Sequence, residues 1–217
     1  MTGTVPGLPD GMRRVLAVVA HPDDESFGLG GLLALLSDRG VPTAVLCFTH
    51  GEASTLHGRP GDLHTVRAGE LARAAQELGV KRVELAGHPD GGLVDVPLPP
   101  LAAEVARLIG EQCPSHLLVF DSGGVTGHRD HQRATHAAQF AARRAGVAVV
   151  GWTLPLHVAD RLNAEFGTSF TGPDPAECHV VAPVPRGRQC RAIACHASQS
   201  SDNPVLWRRL ELLGDRE

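Results

Sequence analysis

Hydrophobic positions along the chain fall into short unbroken runs, and between them lie segments with helical spacing. Val15–Ala20 is apolar at every position, the mark of a strand buried on both faces. From Ser26 to Arg39 the leucines at 29, 32, 33 and 36 recur at helical spacing, and Gly40 is a helix-stop residue. A second strand is read at 43–49 (TAVLCFT), followed by a long polar loop over 50–64. A helix is expected from Thr65 to Leu78 ahead of Gly79, then a third strand at 82–86 and a glycine- and proline-rich loop over 87–100. Leu101 to Glu111 reads as a helix and 116–120 (HLLVF) as a fourth strand. A loop and a helix through Arg144 follow, and then a fifth strand at 146–154. Beyond it the pattern weakens. There it predicts a late strand over 178–184 (CHVVAPV), a helix over 186–198 and a terminal helix over 204–213.

Strand and helix alternate, with connections too long for hairpins. That predicts an α/β fold, Rossmann-like, with a mostly parallel sheet and helices on both faces. At 217 residues one core suffices, so residues 1–217 are read as a single domain, with 1–13 an N-terminal tail and about 201–217 a C-terminal helix. Ligands of such sheets bind outside the carboxyl ends of the strands. The loops after the first four strands hold HPDDE, HGE, HPDGG and GHRDH, so the polar residues gather at one rim.

Composition narrows the function classes. Hydrophobic residues make up 42% and charged residues 20%, ordinary for a globular protein, and a net charge of -4 argues against a nucleic-acid footprint. No apolar run approaches a membrane span and the start lacks an apolar signal core, so a cytoplasmic protein is expected. Five cysteines without a CxxC pair do not suggest a disulfide framework. Twelve histidines and the lack of any tyrosine are the compositional oddities. Homo-oligomerisation is left open.

His21 and Asp24 lie three residues apart where a strand gives way to a helix, with Pro22 fixing the turn. An imidazole and a carboxylate can both reach a metal at ~2.0–2.2 Å. His128 and His131 supply further candidates, and two His with one Asp would leave a position open for water. Against this, a lone histidine at a strand end usually just satisfies a hydrogen bond. Acids at a helix start can simply complement the dipole, at ~0.3–1 kcal/mol each. The topology tips the balance by bringing both loops to one edge. A dinucleotide reading of GLGG fails, because the G-x-G-x-x-G spacing is absent and three acids would repel a pyrophosphate.

In order along the chain, AHPDDE, HGE, RAGEL, GHRDH and CHASQ resemble the PIG-L/LmbE-like zinc-dependent N-deacetylases, over about residues 14 to 200. The resemblance implies that His21, Asp24 and His131 ligate zinc, with iron(II) an alternative for the same donors. It implies that Asp23 is the general base, that a protonated His128 stabilises the oxyanion and that Asp130 tunes His128. It also implies that Arg67, Asp90 and, more loosely, Glu52 bind the sugar. Glu25 is read as support for the helix start. His196 and Gln199 match a late element of no derived role, and Thr126 stands where some relatives have tyrosine. The expected partner is a small N-acetylated amino sugar, possessing an N-acetylglucosamine group and in one version malate, deacetylated by attack of zinc-bound water. Alternatives are a non-catalytic zinc-dependent sugar-binding protein and an amidase on other small acylated amines.

Overall fold

The computed structural model describes residues 8–55 and 62–217. The tail up to residue 7 and the middle of the 50–64 loop lie outside the described residues. Five strands form one sheet: β1 (Val15–Val19), β2 (Thr43–Thr49), β3 (Arg82–His88), β4 (His116–Phe120) and β5 (Ala148–Trp152). All pairings are parallel and the spatial order is β3-β2-β1-β4-β5. The helices are α1 (Asp24–Phe27), α2 (Gly30–Asp38), α3 (Leu63–Leu78), α4 (Leu98–Gln112), α5 (Gly124–Gly127), α6 (Arg129–Ala145), α7 (Leu156–Phe166), α8 (Arg186–Cys195), α9 (Ala197–Ser200) and α10 (Pro204–Leu213).

The two-residue period of β1 sorts its side chains onto two cores. Val15, Ala17 and Val19 meet Leu33 and Leu36 of α2, and Leu71 and Leu78 of α3. Leu16, Val18 and Ala20 meet Leu101 and Val105 of α4, and Ala134, Ala137 and Ala141 of α6. Burying one such leucine or valine stabilises the fold by about 1.5–3 kcal/mol, which is why unbroken apolar runs mark these strands. β1 is flanked by β2 on one side and β4 on the other, so the strand order reverses between β1 and β4. The crevice at their carboxyl ends is the topological switch point where α/β sheets bind ligands.

Some expectations change. The helix read over Ser26–Arg39 is split into α1 and α2 at Gly28 and Leu29, and Gly28 packs so closely against the Phe120 ring that a Cβ there would overlap it. The late strand over 178–184 does not form. Among the described residues this run makes only an isolated antiparallel bridge, Pro183 to Arg216, and Ala182 and Glu217 exchange backbone hydrogen bonds. Leu8 and Met12 of the supposed tail are buried in the core. α7 was not read from the sequence.

Candidate metal centre and active site

The first half of the site is built where β1 ends. Asp24 Oδ2 accepts the amides of Ala20 (3.1 Å) and His21 (2.9 Å), which turns Oδ1 toward His131 Nε2 at 3.1 Å. His131 stands in the first turn of α6, and its Nδ1 lies 3.2 Å from the Gly124 carbonyl. Donation to that carbonyl fixes the tautomer and leaves a lone pair on Nε2. His21 is oriented from its far side: its Nε2 faces Asp90 Oδ1 at 3.1 Å and Asp130 Oδ2 at 3.5 Å and donates there, which turns Nδ1 toward the cluster. That Nδ1 lies 3.2 Å from His131 Nε2 and 3.6 Å from Asp24 Oδ2.

His21 Nδ1, His131 Nε2 and the Asp24 carboxylate thus converge, a donor set that could hold a divalent cation. Burial works against charge on His21, yet hydrogen bonds to Asp130, Asp24 and Asp90 hold its pKa well above the ordinary value. Burial likewise works to raise the Asp24 carboxyl, and His131 and His21 outweigh it, keeping it well below the carboxylate range. The two nitrogens and one oxygen suit a borderline divalent metal with an open position. His128 also comes within reach of His21 and His131. However, its Nδ1 accepts the Asp130 amide at 3.2 Å as the cap of α6, which leaves Nε2 to carry the proton as a donor. Asp90 and Asp130 also group around His21, but on the Nε2 side, where the proton already sits.

Asp23 is held in strain. Its φ is 137°, a region side-chain-bearing residues avoid and one that clusters at functional sites. Its amide donates to Glu25 Oε2 (3.0 Å) and its Oδ2 accepts from Arg67 Nη2 (2.9 Å). Burial pushes the Asp23 carboxyl up to about 6 against the pull of Arg67. That value suits a group that must take and return a proton near neutrality.

Several expected roles differ in the structure. The Asp130 carboxylate does not hydrogen-bond the His128 ring; it takes the amides of Gly91 (2.8 Å) and Leu93 (3.1 Å) and faces His21. His128 is not set up as a cation: burial and then the neighbouring His131 and His21 bring its pKa below the ordinary value, against Asp130 and Asp24. Arg67 is buried and turned inward, donating to the carbonyls of Pro22 and Gly51 (each 2.5 Å) as well as to Asp23. Asp90 accepts the Ala53 amide (2.8 Å) beside its contact with His21. Glu52 is exposed and accepts the Asp90 amide (3.1 Å), one step behind the cavity wall. Thr126 is exposed at the cavity mouth.

The structure also adds residues. Glu25 is fully buried and bonds Ser26 Oγ (2.6 Å) and His196 Nε2 (2.7 Å), so it is no surface complement to a helix dipole. Glu70 accepts both the amide (2.9 Å) and hydroxyl (2.6 Å) of Ser198, and Gln199 Oε1 accepts from Ser54 Oγ (2.7 Å). The late CHASQ run therefore clamps two buried acids beneath the site. The available signal was that three acids in a row, at the end of a buried strand, must find partners. The cavity over these groups holds about 480 Å³, within the range of small-molecule sites. Its wall includes Phe27, Phe120, Trp152 and Arg209. No helix among the described residues is long and apolar enough to cross a membrane.

Several known proteins are similar to this chain in sequence or in fold. The "1D-myo-inositol 2-acetamido-2-deoxy-alpha-D-glucopyranoside deacetylase" of Kineococcus radiotolerans is 33% identical over 184 residues, 69% of this chain and 51% of that protein. The "Probable N-acetyl-alpha-D-glucosaminyl L-malate deacetylase 2" of Bacillus anthracis is 32% identical over 130 residues, 58% of this chain and 57% of its own length. The chain thus spans little more than half of these curated relatives. N,N'-diacetylchitobiose deacetylase from Pyrococcus horikoshii superposes with a TM-score of 0.68 at 21% identity, covering 93% of this chain and 75% of that one. The 4-carboxy-2-hydroxymuconate hydratase of a Pseudomonas superposes at 0.63 and 21%, covering 93% and 85%, so the fold by itself hosts more than one chemistry. A family model matches residues 16–142, more than half of the chain, from β1 through α6 with His21, Asp24 and His131 inside it. By that match the chain belongs to the PIG-L: GlcNAc-PI de-N-acetylase family.

Proposed function

We propose that the chain is a metal-dependent hydrolase that removes the acetyl group from an N-acetylglucosamine-type substrate. The observation that carries this reading is the convergence of His21 Nδ1, His131 Nε2 and Asp24 Oδ1 beside the strained carboxyl of Asp23. His21, Asp24 and His131 would hold the ion, zinc by default and iron(II) with the same donors. When bound, such an ion acts as a Lewis acid and brings the pKa of water from 15.7 to about 7. Asp23 takes the proton of the attacking water. The water oxygen bonds the acetyl carbon, and the bond from that carbon to the sugar nitrogen breaks. Asp23 then returns the proton to the nitrogen, so acetate and a free amine leave.

His128, neutral and donating from Nε2, stabilises the negative charge that develops on the carbonyl oxygen; removing one such donor typically lowers the rate ~10²–10³-fold. Arg67 positions Asp23, while Asp90 and Asp130 fix His21, with Glu52 behind Asp90. The names of the relatives favour N-acetylglucosaminides of inositol or malate as substrates.

The test is acetate release from both compounds by zinc-loaded protein, with Asp23→Ala alongside and the metal content of each measured. Turnover by the wild type, and none by a variant that keeps its metal, supports the reading. Loss of metal from the variant would mean that Asp23 is a ligand and not the base. Turnover of unrelated acetamides but of no glucosaminide would move the protein to the amidase class.

A further inference from the structure

Two arginines are buried among the described residues, Arg67 and Arg209. Arg67 has its carboxylate in Asp23; Arg209 has none within ion-pair distance. A guanidinium carries five N–H donors. Arg209, from α10, gives one of them, through Nη2, to the Phe27 carbonyl at 2.7 Å, and its buried Nε has no partner. Its Cζ lies 5.7 Å from the centroid of the Trp152 ring. The nearby acid that could neutralise it, Glu217, is engaged elsewhere, one oxygen on Arg186 and the other on Trp152 Nε1. Burial pulls the pKa of Arg209 down, and Glu217, Asp24 and Asp23 only partly offset this. Leaving a cation nine-tenths buried without an anion is costly, and natural structures rarely do so without a ligand in view.

Arg209 lines the same cavity as the metal cluster. It stands beyond a row of rings: His131 to Phe120 at 4.9 Å, Phe120 to Trp152 at 5.7 Å, then the guanidinium. The cavity therefore carries Asp23, Asp24 and Asp90 around the metal cluster and, beyond the rings, a cation with no carboxylate within ion-pair distance. An amino sugar placed with its acetamide at the metal cluster would project its substituent toward the cation.

We propose that Arg209 forms an anion subsite and that the substituent on the sugar is an oxyanion, a carboxylate or a phosphate. This rests on the deacetylase reading above and narrows it to acidic N-acetylglucosaminides. The alternative is that Arg209 only ties α10 to the end of α1 through Phe27.

The two are separated by a ratio. kcat/KM is measured for N-acetylglucosaminyl-malate against its neutral dimethyl ester, and for N-acetylglucosamine 1-phosphate against the methyl glycoside, in wild type, Arg209→Met and Arg209→Lys. Charged hydrogen bonds of this kind correspond to a preference of about 10- to 100-fold for the acid in the wild type. Arg209→Met should collapse that ratio toward one, with Arg209→Lys between. The pair that shows the larger ratio identifies the oxyanion. A purely structural arginine would reduce acid and ester alike, and an unchanged ratio in Arg209→Met overturns the proposal. Calorimetric binding of L-malate and of inorganic phosphate to metal-loaded wild type and Arg209→Met gives a readout free of turnover. If no glucosaminide is hydrolysed, the deacetylase reading falls, yet weaker anion binding by Arg209→Met still supports the subsite and equal binding still removes it.

Discussion

Replacing Glu25 by alanine is the most informative change outside the metal cluster. The carboxylate is fully buried and accepts from the Asp23 amide at 3.0 Å, Ser26 Oγ at 2.6 Å and His196 Nε2 at 2.7 Å. Deleting one member of a buried charged pair costs about 3–5 kcal/mol, because the partner is left uncompensated. The variant should lose that much in urea unfolding. Activity should fall too, since the Asp23 backbone at φ 137° stores about 1–3 kcal/mol of strain and the Glu25 bond helps to hold it. A shift of the Asp23 carboxylate by about 1 Å lowers turnover about 10²-fold. The pH dependence adds a second readout. Burial lowers the pKa of His196 and Glu25 more than restores it, so the folded value lies above the ordinary one. Stability from this pair is therefore complete below the unfolded value of about 6.5 and is lost as pH rises through the higher folded value. Urea unfolding of wild type from about pH 6 to about pH 9 should show that loss, and Glu25→Ala should flatten it. A variant within about 1 kcal/mol of wild type, with the same pH slope and undiminished turnover, would refute the argument.

Other expectations follow from single contacts. Gly51→Ala places a methyl against the Arg67 guanidinium at a residue with φ +66°, so thermal unfolding should fall by about 1–3 kcal/mol and kcat should drop through the Arg67–Asp23 pair. Leu33→Ala opens a hole in the core under β1 and should cost about 2–5 kcal/mol in chemical denaturation while leaving the KM unchanged. His131→Ala removes a proposed ligand whose second nitrogen is already fixed by Gly124, and metal analysis after dialysis should find the ion lost. Chelation should abolish acetate release and lower the melting temperature, with far-ultraviolet circular dichroism retained below it.

The parallel sheet was legible because each strand is buried on both faces and so reads as an unbroken apolar run. The 178–184 segment shows the limit of that signal. Its valines looked like a strand, yet Val181 is 45% exposed and the run pairs only with the chain near Arg216. α7 escaped notice because it buries only Val158, Ala159 and Leu162, a narrow stripe directly after a strand. The positions of His21, Asp24 and His131 could be read from motif and topology together. The roles around them could not, because these depend on where backbone amides point. The Asp130 carboxylate is claimed by Gly91 and Leu93, and His128 Nδ1 by an α6 amide. Neither pairing has a sequence signature. Glu25 and His196 are 171 residues apart, and nothing in either segment names the other.

The separation of 110 residues between His21 and His131 bears on how the protein is assembled. Closing a loop of that length in an unfolded chain costs about 4 kcal/mol by the (3/2)RT ln n rule. An ion meeting the unfolded chain would find only His21 and Asp24, two of its three proposed donors, in one place. The sheet must form first, and parallel pairings across long connections form slowly. On the proposed ligand set, capture of the ion would be a late event on a finished scaffold, unlike small metal domains in which binding and folding are one step. Refolding should proceed at the same rate with or without the ion, which leaves the cell free to choose when, and with which metal, to switch the molecule on.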